Sequence, residues 1–209
     1  MFRDLPGTLP GAEAPGNVFQ AVIRLVLFAA LLVAGVAFGA ETDKRDPREY
    51  FFTQTFGDLP EEMQLAREDG KLGMLLFFES ENCSYCRAML DKVLSDSHVQ
   101  DWYRERFVNI AVDIHGDVEL RDFDGITLPS KVFADHRRIY LTPVTSFLDL
   151  EGREIYRHLG MVKTPEEFML LGEYIEGKHY FDTEYEVFAE QHGQKKREKI
   201  LVTPAGETE

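Results

Sequence analysis

The stretch LGMLLFFESENCSYCRAMLDKVL, residues 72–94, joins three different patterns in one run. Leu72 to Phe78 is an unbroken apolar segment with the length of a buried strand. Arg87 to Leu94 carries apolar residues at helical spacing. Between them lie Cys83 and Cys86, the only cysteines of the 209-residue chain. A strand that feeds a C-x-x-C at a helix start suits thiol–disulfide exchange. The first N–H groups of a helix have no backbone partner, and with the helix dipole they stabilise a thiolate. A purely structural disulfide is the plainer reading, but so short a loop constrains the unfolded chain little. A metal site is the other alternative, and it would be half missing. The six histidines (98, 115, 136, 158, 179 and 192) include no pair at ligand spacing.

Working outward, Asp46 to Phe56 is rich in aromatics and reads as a short segment packed on the domain. Asp58 is a candidate cap for a helix over 61–68, which Asp69-Gly70 stops. Beyond the cysteine helix, Ser95-Asp96-Ser97 breaks and recaps the chain before a second helical stretch, His98 to Arg106. Val108 to Ile114 is rich in β-branched residues and predicts a second buried strand, parallel to the first. His115 to Leu128 reads as a solvated acidic loop. Its acid spacing does not match a calcium-binding EF-hand. Ser130 to Arg138 predicts a short helix, followed by Thr142-Pro143, a strand over 144–148, a turn at 149–152 and an antiparallel strand over 153–158. Thr164-Pro165-Glu166-Glu167 opens the last helix with a capping box, and Gly177 ends it. From Phe181 the chain is charged and reads as an exposed tail.

Composition bounds the rest. Apolar residues make up 44% and charged residues 29%, enough for one ordinary core. A net charge of −14 argues against nucleic acid or an anionic membrane surface as partner. Leu25 to Ala40 (LVLFAALLVAGVAFGA) is uncharged, follows Arg24 and precedes a polar stretch from Glu41. That is the pattern of a signal peptide, with Ala37 and Gly39 at plausible −3 and −1 positions, or of a short membrane anchor. Residues 1–17 would make a long leader region, and a start near Val18 or Val22 would shorten it. The expected organisation is an N-terminal extension over 1–40, a domain over 41–180 and a charged tail over 181–209. An exported domain faces an oxidising compartment.

The order of helix, strand, cysteine motif, helix, strand, helix, X-Pro, hairpin and helix resembles the thioredoxin fold over roughly residues 57–177. That fold is α/β, with three α/β/α layers, a mixed central sheet and a C-terminal β-hairpin plus helix. More narrowly, FFTQTFGDLPEEMQLAREDGK (51–71), LLFFESENCSYCRAML (75–90), VDIHGDVELRDFDG (112–125) and TPVTSFLDLEGREIYRHLG (142–160) resemble bacterial exported thioredoxin-like proteins of the SoxW type. The resemblance implies Cys83 as attacking thiol, Cys86 as resolving thiol and Pro143 as the cis-proline beside them. A cis bond there would leave the backbone of Thr142 free to pair with an extended substrate. The resemblance further implies protein thiols and disulfides as partners, a membrane electron donor, and no cofactor or metal beyond the redox-active pair.

Three departures from thioredoxin stand out. Asn82 precedes the motif, Ser84-Tyr85 fills it, and Phe77 occupies the place of a buried aspartate six residues before the first cysteine. Tyr85 resembles the motif residue of disulfide isomerases and glutaredoxins, where the ring covers the edge of the site. The proton-accepting role that belongs to the aspartate passes to no obvious owner. Glu79 and Glu81 are nearby, and glutamates at an exposed strand end are common. Among functions, a monomeric reductase comes first. An oxidase needs a larger helical insertion than Ile114 to Thr142 provides, and a dimeric isomerase needs a dimerisation domain that residues 41–56 cannot supply. A metal-binding chaperone using Cys83, Cys86 and a histidine, and a binding module without turnover, remain as alternatives.

Overall fold

A computed structural model describes residues 43–202, with side chains to residue 193. The proposed leader over 25–40 lies outside the described residues. Among those described, no helix is long and apolar enough to cross a membrane.

The centre is a four-stranded sheet in the order β2-β1-β5-β6. β1 (Gly73–Glu79) runs parallel to β2 (Phe107–Asp113) and antiparallel to β5 (Val144–Leu148). β5 in turn pairs antiparallel with β6 (Glu154–Leu159). All seven residues of β1 are buried, because it is an inner strand covered on both faces. Side chains alternate along it, so its two faces feed two cores. Leu75 and Phe77 join Phe107 and Phe147 under one layer of helices. Met74, Leu76 and Phe78 join Val108, Ile110, Val112 and Leu148 under the other. Each such side chain stabilises the fold by about 1.5–3 kcal/mol relative to exposure.

The first layer contains α1 (Pro47–Tyr50), α3 (Ser84–Met89), α4 (Ser97–Arg106) and α6 (Pro165–Glu176). α3 continues into a wider π turn, Leu90–Leu94, before Asp96 caps α4 by accepting from the N–H groups of His98 and Val99. Tyr103 of α4 stacks on Phe168 of α6, with ring centroids 4.3 Å apart, and its hydroxyl donates to the Phe168 carbonyl at 2.6 Å. The second layer holds α2 (Leu59–Glu68), capped by Asp58 as expected, and α5 (Ser130–His136). The three-layer α/β arrangement is that of the thioredoxin fold.

Two stretches differ from the sequence expectation. The acidic loop over 115–128 contains a small hairpin, β3 (Glu119–Arg121) with β4 (Thr127–Pro129). Leu120 is buried in the second core, and Arg137 pairs with Asp122 at 2.8 Å where both side chains are largely covered. Leu120, with Phe123 and Leu128 packed against the same core, and one covered ion pair organise a segment whose composition reads as solvated. The stretch from 181, expected as an exposed tail, forms α7 (Tyr185–Val202). Phe188 is 4% exposed and sits 5.2 Å from the Tyr174 ring and 4.6 Å from His179. Tyr185, Phe188 and His192 lie at helical spacing inside a charged run, so the net composition conceals an inward face.

Candidate active site

β1 ends at Glu79, and Ser80 to Asn82 carry the chain into α3. Cys83 is the N-cap of that helix, in an extended conformation. Its N–H donates to the Ser80 carbonyl at 3.1 Å, and its carbonyl accepts the Arg87 N–H at 3.1 Å. Its sulfur accepts the Cys86 N–H at 3.0 Å, the place an oxygen takes in an ordinary cap. Cys83 and Cys86 form a disulfide with an S–S distance of 2.11 Å and Cα atoms 5.2 Å apart. Cys83 is 9% exposed and Cys86 only 1%, so an incoming thiol reaches Cys83 first. No acidic residue lies in the first turn of α3, which leaves the positive end of the helix facing the sulfur. Arg87 folds back to donate to the Glu81 carbonyl at 2.8 Å.

The loop before β5 comes up against this helix start. The Thr142–Pro143 peptide bond is cis. The Thr142 hydroxyl lies 3.2 Å from that of Ser80, which ties the two loops together. The Pro143 carbonyl accepts from Gly160 N–H at 3.0 Å, and Pro143 itself is buried. Tyr85 projects outward, 65% exposed. Tyr140 and Leu141 just before the cis bond, and Leu159 paired with Val144 across the hairpin, are also exposed apolar residues.

Phe77 is fully buried on the disulfide side of the sheet, its ring 5.8 Å from Phe52. Glu79 corrects the expectation of an exposed strand-end acid. It is 8% exposed and takes a bidentate grip from Arg48, at 2.5 and 2.7 Å. The pairing holds the Arg48 guanidinium above its ordinary pKa, keeping it charged. Arg48 also lies over the Phe52 ring at 5.6 Å. The sequence reading overlooked Arg48, which arrives from the aromatic segment on α1. Alternation along β1 is the signal that finds its partner: Glu79 follows Leu75 and Phe77 on one face. Glu81, the other candidate, is exposed.

A cleft of about 320 Å³ opens behind the cysteines, lined by Arg48, Glu79, Glu81, Cys86, Arg87 and Asp113 among others. A larger pocket of about 570 Å³ lies at the starts of α4 and α6 and along α7, beside Met169, Leu170 and Ala189. It contains neither cysteine, so size does not mark the chemistry here. Among the described residues, no group of three or more His, Cys, Asp or Glu side chains gathers as a metal site. Burial raises the Tyr156 hydroxyl well above its ordinary pKa and that of Tyr185 to about 12.

Several solved structures resemble the chain. A thioredoxin-fold protein from Helicobacter pylori aligns with a TM-score of 0.52 at 21% identity, covering 74% of this chain and 95% of that one. A thioredoxin from Thermus thermophilus aligns at 0.44 and 28% identity, covering 56% and 82%. The C-terminal domain of DsbD from Neisseria meningitidis aligns at 0.40 and 17% identity, covering 54% and 89%. No curated protein matches the chain. Residues 59–176, more than half of the sequence and the span from α2 to the end of α6, match the family described as thioredoxin-like domain. With that match, the chain belongs to the thioredoxin-like family.

Proposed function

We propose that this protein is an exported thiol–disulfide oxidoreductase of the SoxW type, working as a reductase of partner-protein disulfides. The observation that carries the reading is the Cys83–Cys86 disulfide at a helix start free of acids in its first turn, reached through a loop that Ser80 ties to Thr142. In the dithiol form, Cys83 as thiolate attacks a partner disulfide and forms a mixed disulfide. Cys86 then attacks Cys83, the second partner sulfur leaves, and the internal disulfide is restored. The partner gains two electrons and the dithiol loses two. The exposed Tyr85 and the backbone at Thr142 suit docking of an extended protein segment.

An oxidising compartment would keep the pair as a disulfide, so a reductase there needs a dedicated electron donor at the membrane. The leader pattern over 25–40 favours periplasmic delivery, either cleaved or anchored, and the domain itself works as a monomer. Between β2 and β5 the chain holds only the small hairpin and α5. That brevity favours a reductase over an oxidase with a large helical insertion, while isomerase activity and the metal-chaperone reading remain the alternatives. The test is a Cys86→Ala variant in the exported compartment. It should accumulate mixed disulfides with partner proteins through Cys83, released by dithiothreitol. If no partner is trapped and reduced wild-type protein fails to accelerate insulin-disulfide reduction, the reading is wrong.

A further inference from the structure

Resolution of the mixed disulfide requires Cys86 to lose a proton, and Cys86 is only 1% exposed. The face of β1 toward the cysteines offers Phe77, which cannot take one. Side chains two apart on a strand point the same way, about 7 Å further along. The next residue on that face is Glu79, buried and lining the same cleft as Cys86. We infer that Glu79 accepts the Cys86 proton during resolution, held in place for that role by Arg48. The inference rests on the dithiol reading above.

The charged neighbours single out this carboxylate. Glu81, in the loop before α3, is exposed. Asp113, at the end of β2, is exposed, and its carboxylate is occupied with the His115 N–H at 2.9 Å. Arg87 on α3 is turned to the Glu81 carbonyl. Arg48 on α1 meets Glu79 through both guanidinium nitrogens and fixes the orientation of the carboxylate. A buried charge without that partner would be costly. The pair therefore keeps a base beside an apolar, cysteine-bearing core.

The step balances as follows. Cys83 thiolate attacks a partner disulfide, an S–S bond to Cys83 forms, and the first partner sulfur leaves as thiolate. It takes back from water the proton that Cys83 had given up. Cys86 then transfers its proton to the Glu79 carboxylate as its sulfur attacks Cys83. The Cys83–Cys86 bond forms, the mixed disulfide breaks, and the second partner sulfur leaves with the electron pair. Glu79 passes the proton to that sulfur and returns to carboxylate.

The experiment follows the reaction of the reduced full chain with dithiobis(nitrobenzoate), whose thionitrobenzoate is released in two phases. The first reports attack by Cys83 and the second reports resolution by Cys86. Wild type, in which Arg48 holds Glu79, is compared with the Arg48→Met/Glu79→Gln double variant, in which no unpaired guanidinium is left to stabilise a Cys86 thiolate. The expected result is a first phase unchanged between the two and a second phase at least about tenfold slower in the double variant near pH 6. The gap should narrow toward about pH 8.5, where a thiol ionises unaided. Equal second phases across that range overturn the role of Glu79 and leave the reductase reading intact. Absence of a second phase in the wild type removes both. Should the double variant also lose the first phase, an Arg48→Gln/Glu79→Gln pair, which keeps a polar side chain at both positions without either charge, takes its place against wild type. Slowing then supports the role of Glu79, and equality or acceleration overturns it.

Discussion

At the start of α6, Thr164 Oγ1 accepts the Glu167 N–H at 3.2 Å, and Glu167 reaches back to accept the Lys163 N–H at 3.0 Å. At the start of α3, the Cys83 sulfur holds the corresponding place over the Cys86 N–H at 3.0 Å. Both are N-caps, yet their surroundings are opposite. α6 carries Glu166 and Glu167 in its first turn, so its dipole is answered by carboxylates, and Thr164 takes up the Glu167 N–H. α3 carries no acid in its first turn. The side chain that caps its positive end is a sulfur, which can become an anion. One helix start is filled for stability. The other is capped by a sulfur with no acid beside it in the first turn, the setting in which a thiolate would be favoured.

The largest expected effect comes from making the cysteine start an ordinary one. Cys83→Ser keeps a side chain that caps well but removes the nucleophile. Insulin-disulfide reduction should fall by at least about a thousandfold. Thermal denaturation of the reduced proteins should show Cys83→Ser within about 0.5 kcal/mol of wild type, since one cap replaces another. Retained activity would mean that Cys83 does not lead. Next is the filled start. Thr164→Ala should cost about 1 kcal/mol in urea denaturation, with the reductase rate unaltered. A loss of activity there would show the two helix starts to be coupled. The smallest effect copies the acids of α6 into α3. Tyr85→Glu places a carboxylate in the first turn, where such charges are worth about 0.3–1 kcal/mol. Iodoacetamide should then alkylate Cys83 about two- to fivefold more slowly at neutral pH in a Cys86→Ala background. An unchanged rate would mean that the helix end contributes nothing to Cys83.

Much of this was legible in order along the chain. The apolar run to Phe78, the capping residues Asp58 and Thr164, and the stop at Gly177 each act within one turn or one strand. The structure follows them to within a residue or two. The C-x-x-C is equally local, since Cys83 and Cys86 meet across a single helical turn. The hairpin at β3–β4 is hidden in the sequence because acids surround its few inward residues, Leu120 with Phe123 and Leu128. The helix over Tyr185–Val202 escaped for a similar reason, its few inward residues being diluted by charge.

The amino-acid sequence by itself determined the elements, their order and the pair of cysteines, because caps, periodicity and a three-residue spacing are short-range properties. Only the tertiary structure decided that Glu79 is a buried, paired carboxylate. Its partner Arg48 is 31 residues away, and no local pattern joins them. The same holds for Thr142, brought 3.2 Å from Ser80 across 62 residues of chain. Burial depends on what the sheet and its helices stack above a residue, and that follows from packing of the whole chain rather than from any window of it.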